Sequence, residues 1–186
     1  CIRKPTNGME VFTNNTKVEK SQSLVLELLL SDQPEEKQNK SQINHFWNTI
    51  KKTKIENSRF TSKKRDTVPK TDKSHPAMTV ALDSCIQCGL CVRACRDVQV
   101  NDVLGMSGRG HNSYPIFDLN NLMGESSCVG CGECVQACPT GALIESSLVD
   151  ESNIQTIFPE EKIKSLCPFC GVGCQTLVSV KENTII

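Results

Sequence analysis

The sequence predicts an α+β chain assembled from several small units instead of one large core. Three observations carry that prediction. Helical patterns come early in the chain, strand-like runs come late, and 12 cysteines stand in 186 residues of which only 4% are aromatic. With 38% hydrophobic residues, apolar burial alone is too small a resource, and small scaffolds of this kind are commonly stapled by sulfur or metal. Lys plus Arg equals Asp plus Glu at 21 each, so no global field points to nucleic acid or to a membrane surface.

Val18 to Leu30 places Leu24, Val25, Leu28 and Leu29 at helical spacing, with Ser21 and Ser23 near the start. Residues 31–40 are polar and broken by Pro34, and read as a linker. Ile43, Phe46, Trp47 and Ile50 then fall at i, i+3, i+4 and i+7, predicting a short amphipathic helix that docks on the body of the protein. Residues 51–76 are basic and loop-like. The run Lys63-Lys64-Arg65 has no aromatic ladder beside it and reads as a solvated linker, not a nucleic-acid surface. Tyr114 to Phe117 is strand-like. Leu177 to Val180 and Thr184 to Ile186 flank Lys181-Glu182-Asn183 as a β-hairpin.

Nothing resembles a signal peptide, and no purely apolar run exceeds the three residues Leu28 to Leu30, so no membrane span is expected. A reducing cytoplasm is the expected setting, where clustered thiols favour metal over disulfide. The chain opens on Cys1 and closes on strand-like residues, so both ends are expected to continue.

From Met78 onward the texture changes. Cys85-x2-Cys88-x2-Cys91-x3-Cys95 recurs 43 residues later as Cys128-x2-Cys131-x2-Cys134-x3-Cys138, followed at once by Pro139. A [4Fe–4S] cube offers four iron corners, each taking one thiolate. Three thiolates at x2 spacing come from one tight loop, and the fourth, already entering a helix, ligates the other cube. The expected sets are therefore Cys85, Cys88, Cys91 and Cys138 for one cube, and Cys95, Cys128, Cys131 and Cys134 for the other. Structural zinc is the competing reading, but a zinc site takes four sulfurs and would leave half of these unused.

Gly89, Gly130 and Gly132 are expected to let backbone pass close to the cubes. Arg96 follows Cys95 where the second copy has Pro139, and is expected to raise a cube's potential with its charge. The third group, Cys167-x2-Cys170-x3-Cys174, can hold three corners of another cube; the lesser alternatives on spacing alone are a zinc knuckle or a redox pair. Cys1 reads as an orphaned ligand or an inert thiol. His45, His75 and His111 stand alone and read as surface or outer-sphere residues. No Ser–His–Asp set, paired-carboxylate site or phosphate loop stands out, so no catalytic residue is expected in this chain.

Residues 78–144 (MTVALDSCIQCGLCVRACRDVQVNDVLGMSGRGH … MGESSCVGCGECVQACPTGAL) closely resemble the ferredoxin-like segment of the catalytic alpha subunit of NAD-dependent, molybdenum- or tungsten-containing formate dehydrogenases. Residues 167–186 (CPFCGVGCQTLVSVKENTII) resemble the opening of that family's molybdopterin oxidoreductase domain. Residues 1–30 resemble the end of a [2Fe–2S] domain and the helix after it, as in the large iron–sulfur subunit of respiratory complex I.

The resemblance implies five segments. Residues 1–33 would be the end of the [2Fe–2S] domain plus a helix. Residues 34–77 would be a linker with a short helix. The 2[4Fe–4S] ferredoxin-like domain would take 78–148, a linker 149–162, and the start of the molybdopterin oxidoreductase 4Fe–4S domain 163–186. Cys1 would then be the last ligand of a [2Fe–2S] centre. Cys167, Cys170 and Cys174 would be three of the four ligands of a further [4Fe–4S] cluster, and a Mo/W–bis-pterin would lie in the part that follows. Many relatives carry an extra cube held by His and three Cys upstream of the ferredoxin-like segment. Residues 31–84 contain no cysteine, and HFWNTIKKTKIENSRF stands in its place. The implied role is to relay electrons from formate oxidation towards flavin- and NAD-binding partner subunits. The alternatives are the equivalent part of a complex I or hydrogenase-type subunit, or a free-standing ferredoxin-type carrier.

Overall fold

A computed structural model of the chain describes residues 3–34, 45–61, 65 and 68–186. Cys1, Ile43, Lys63 and Lys64 lie outside the described residues.

Helix α1 spans Thr16–Ser31. Asn15 caps it, its Oδ1 accepting from the Val18 N–H at 2.9 Å. The helix buries a different stripe from the one its spacing suggested. Val25 and Leu28 are exposed, and Leu30 and Glu27 are buried, with Leu26 and Leu29 packed beside them. A carboxylate on the inner face turns the helix, and Arg59 satisfies it: Nε and Nη2 donate to the two Glu27 oxygens at 2.7 and 2.8 Å.

Helix α2, His45–Thr53, presents Phe46, Trp47 and Ile50 to Leu30, as its amphipathic pattern predicts. Phe46 and Trp47 meet edge to face, with ring centroids 5.2 Å apart. The first-turn N–H of Phe46, which has no partner inside a helix, donates to the Pro139 carbonyl at 2.9 Å. The helical layer is thus pinned next to Cys138.

The cysteine-rich unit follows. Strand β1 (Met78–Val80) pairs antiparallel with β4 (Leu143–Glu145), Val80 opposite Leu143. Helix α3 (Leu90–Arg93) continues into a π-helical turn, Ala94–Val98, closed by the Gln99 N–H on the Ala94 carbonyl. Strands β2 (Leu104–Ser107) and β3 (Tyr114–Phe117) form a second antiparallel pair, and α4 covers Glu133–Ala137. The core joins Met78, Val80, Leu82, Leu104, Phe117 and Met123 to Cys95 and Cys134. Cysteines are therefore part of the core and not ornaments on it, which is how a chain so poor in aromatics fills its interior.

Residues 160–186 build a three-stranded antiparallel sheet in the order β5 (Glu161–Leu166), β6 (Gln175–Lys181), β7 (Thr184–Ile185). The hairpin turns at Glu182 and Asn183, both with positive φ (48° and 62°), the backbone twist that two-residue hairpins favour. Strand β5 begins inside the stretch that the sequence assigned to a linker. No helix among the described residues is long and apolar enough to cross a membrane.

Candidate metal centre

Two cavities divide the eight thiols of the repeated motif. One is lined by Cys85, Cys88, Cys91 and Cys138, with Leu82, Met106 and Leu143 around them. The other is lined by Cys95, Cys128, Cys131 and Cys134, with Val103, Leu104 and Phe117. Each cavity takes three thiols from its own loop and one from the other copy.

Local backbone explains the placement. Gly89 and Gly132 sit at φ 70° and 77° at the N-terminal ends of α3 and α4, turning the chain out of each loop so that Cys91 and Cys134 enter on a helix. Cys95 lies in the π-helical turn and Cys138 ends α4, and these positions swing the fourth thiol of each run towards the opposite loop.

Amide N–H groups converge on the sulfurs. Gln87 N–H donates to Cys85 Sγ at 3.3 Å, Gly130 N–H to Cys128 Sγ at 3.4 Å, and Leu143 N–H to Cys138 Sγ at 3.4 Å. Donors of this kind favour a negatively charged sulfur. Burial works the other way. It pushes the Cys91 thiol up to about 12, helped by Cys138, Cys85 and Cys88; it pushes Cys134 up to about 12, helped by Cys128, Cys131 and Cys95. Four thiolates so enclosed need positive charge among them.

A [4Fe–4S] core fits this donor set: soft sulfur only, four per cavity, with amides turned towards them. Among the described residues no three His, Cys, Asp or Glu side chains close on a single ion. One tetrahedral metal, at metal–sulfur distances of about 2.3 Å, would draw its thiolates into mutual contact, whereas a cube holds them apart at its corners.

The third group sits at the end of the β5–β6 hairpin. Cys167 follows β5 directly and Cys174 precedes β6, joined by the Cys167 N–H on the Cys174 carbonyl at 2.8 Å. Cys170 and Cys174 are exposed, and Phe169 and Val172 beside them are 91% and 79% exposed.

Several residues that matter here carry no motif. Arg65, from the basic run, donates from Nη2 to the Leu82 and Asp83 carbonyls at 3.1 Å each, on the turn that delivers Cys85. Burial pushes the Cys85 thiol up; the Gln87 N–H and the Arg65 charge pull it back. Arg96, by contrast, is 54% exposed, its Nε 3.1 Å from an oxygen of Asp97, so carboxylate and water both screen the charge expected to act on a cube. His75 lies against Gly130, close to where a side chain there would begin. His45 lines a groove with Cys138 and Pro139, and the His111 carbonyl accepts from Gln87 Nε2 at 2.6 Å. Cys1 lies outside the described residues.

Residues 84–142 match the 4Fe-4S dicluster domain model, and residues 160–186 match the molybdopterin oxidoreductase Fe4S4 domain model. A Bacillus subtilis protein named "Putative formate dehydrogenase YrhE" is 29% identical over 100% of this chain, which covers 23% of that protein. A Rhizobium meliloti protein named as an NADH-quinone oxidoreductase component is 29% identical over 98% of the chain, which covers 21% of its length. The chain thus spans less than a quarter of these curated relatives. A crystal structure of an NAD+-reducing nickel–iron hydrogenase superposes with a TM-score of 0.60 at 23% identity, over 72% of this chain and 57% of that one, and shares the fold.

Proposed function

We infer that this chain, which carries a 4Fe-4S dicluster domain joined to a molybdopterin oxidoreductase Fe4S4 domain, is the electron-relay segment of a formate dehydrogenase alpha subunit that serves an NAD-reducing partner. The observation that carries the relay is the division of eight thiols into two crossed sets of four. Cys85, Cys88, Cys91 and Cys138 would hold one cube, and Cys95, Cys128, Cys131 and Cys134 the other. Cys167, Cys170 and Cys174 would hold a third, and Cys1 would belong to a [2Fe–2S] centre. When bound, the clusters supply one-electron redox chemistry, and a Mo/W–pterin centre supplies the two-electron oxidation of formate.

The chain's own residues do the rest. Core side chains such as Leu82, Leu104 and Phe117 exclude water from the cavities, and backbone amides stabilise negative sulfur. Cys88 and Cys131 are exposed, so each set has a solvent-side edge where a redox partner can approach. The proposed divisions are 1–33, 34–77, 78–148, 149–162 and 163–186, with the last unit's first strand reaching back to Glu161.

Relatives named as formate dehydrogenases and as an NADH-quinone oxidoreductase component support two readings of the whole enzyme. The Fe4S4 match at 160–186 favours the pterin-dependent one. The test is anaerobic addition of formate to the native full-length enzyme, followed by low-temperature EPR. Cluster reduction by formate is the expected result. Reduction by NADH but not by formate would favour the complex I-type reading.

A further inference from the structure

The two cysteine loops turn alike, with positive φ at Gln87 and Gly130 and again at Gly89 and Gly132, yet the charges held against their entry turns have opposite sign. At the first turn, Arg65 grips the carbonyls of Leu82 and Asp83, three and two residues ahead of Cys85. Its Nη1 is buried and has no hydrogen-bond partner among the described residues. At the second turn, Asp118 grips Ser127, the residue before Cys128. Its Oδ2 accepts from the Ser127 N–H at 2.7 Å and its Oδ1 from the Ser127 hydroxyl at 2.8 Å. Each turn also carries one exposed carboxylate, Asp83 and Glu125. Arg93 and Arg96 lie near Cys95, but both are more than half exposed and both pair with Asp97.

Charges in water are screened within about 8–10 Å, and partly buried ones much less. A guanidinium is always ionised, so Arg65 contributes a fixed positive charge at any working pH. Adding an electron to a cluster makes it more negative. A fixed cation close by favours the reduced state and a fixed anion opposes it.

We propose that Arg65 and Asp118 are opposed positioning charges that make the two cubes unequal, the one at Cys85, Cys88, Cys91 and Cys138 having the higher reduction potential. The proposal rests on the crossed ligand sets above. It assigns a built-in downhill direction, from the cube entered at Cys128 to the cube entered at Cys85. The latter lies beside Pro139, where α2 docks.

The test is an EPR-monitored redox titration of the anaerobically purified protein, with Cys131→Ser used to mark which signal belongs to the second set. The first cube is expected to titrate at the higher potential. In Arg65→Met its reduced-to-oxidised ratio at a fixed poise should fall at least threefold, about 28 mV at 59 mV per decade, and the second cube should stay in place. Arg65→Lys should restore most of the shift. Asp118→Asn should raise the second cube alone.

Equal or inverted potentials in the wild type, or a common shift of both cubes in Arg65→Met, would overturn the proposal while leaving two cubes intact. Absence of two cube signals altogether would overturn the ligand assignment instead. If Arg65→Met fails to load the first cube, the Asp118→Asn arm and the wild-type order still decide.

Discussion

Gln87 and Gly130 stand 43 residues apart in sequence and in the same place in the two loops: each has a positive φ (59° and 69°), and each turns its N–H onto the sulfur two residues before it. A left-handed backbone is natural for glycine and costs an ordinary residue about 1–2 kcal/mol. Gln87 offsets part of that cost with a side-chain bond to the His111 carbonyl.

The two positions should therefore respond differently to exchange. Gly130→Ala should lower stability by about 1 kcal/mol, since the new methyl has room against His75 and only the backbone resists. Gln87→Gly should change stability by less than about 0.5 kcal/mol, because relief of strain is offset by the lost bond and by glycine's larger unfolded-state entropy. Denaturant midpoints followed by visible absorbance measure both. A Gly130→Ala as stable as wild type would show that this φ is not required.

Gly124 makes a sharper prediction. A Cβ there would stand 2.4 Å from the Ser74 carbonyl oxygen. That backbone cannot retreat easily: the Asp72 carboxylate accepts from the N–H groups of Met123 and Ser74 at 2.6 and 2.8 Å. Gly124→Ala should cost about 2–3 kcal/mol by overpacking. Gly105→Ala, whose Cβ would meet only Ile116 Cγ1 at 3.9 Å, should lie within about 0.5 kcal/mol of wild type. Thermal unfolding of the two variants side by side checks the contrast.

The Arg59–Glu27 pair predicts a pH dependence in the helical layer. Side-chain and backbone hydrogen bonds from Arg59 lower Glu27 from 4.5 to about 2, against the opposing effect of burial. The folded value is depressed, so the stabilisation is fully present above about pH 4.5 and fades as pH falls towards 2. Glu27→Gln should be less stable than wild type at pH 7, and the gap should narrow from pH 5 to pH 3. Fluorescence of Trp47, the single tryptophan, buried in the same cluster, reports on this layer. A gap that stays constant with pH would contradict the assignment.

What could be read from the sequence follows from how locally each feature is encoded. Phe46, Trp47 and Ile50 of the α2 stripe, Tyr114–Phe117 and the final hairpin are short-range patterns, and they sit where the spacing puts them. Helix α1 was legible as a helix but not in its facing, because Glu27 turns inward only once Arg59, 32 residues away, is beside it. Strands β1 and β4 are three residues each and 63 apart, too short to show a period and paired only through the closed domain. Arg65 was hidden in a run that reads as solvent-facing; its role depends on a turn 17 residues later. Gln87 was open to discovery. Laying the two cysteine runs over each other places it on Gly130 and marks it as a non-glycine residue in a glycine position.

Everything about the relay depends on which thiols share a core. Serine variants of Cys95 and Cys138, compared by EPR with Cys131→Ser and Cys88→Ser in anaerobically purified protein, decide it. Crossed sets predict that Cys95→Ser perturbs the same signal as Cys131→Ser, and Cys138→Ser the same signal as Cys88→Ser, with the other signal intact each time. If Cys95→Ser instead reproduces Cys88→Ser, or if the protein is colourless and holds zinc, the arrangement described above is wrong.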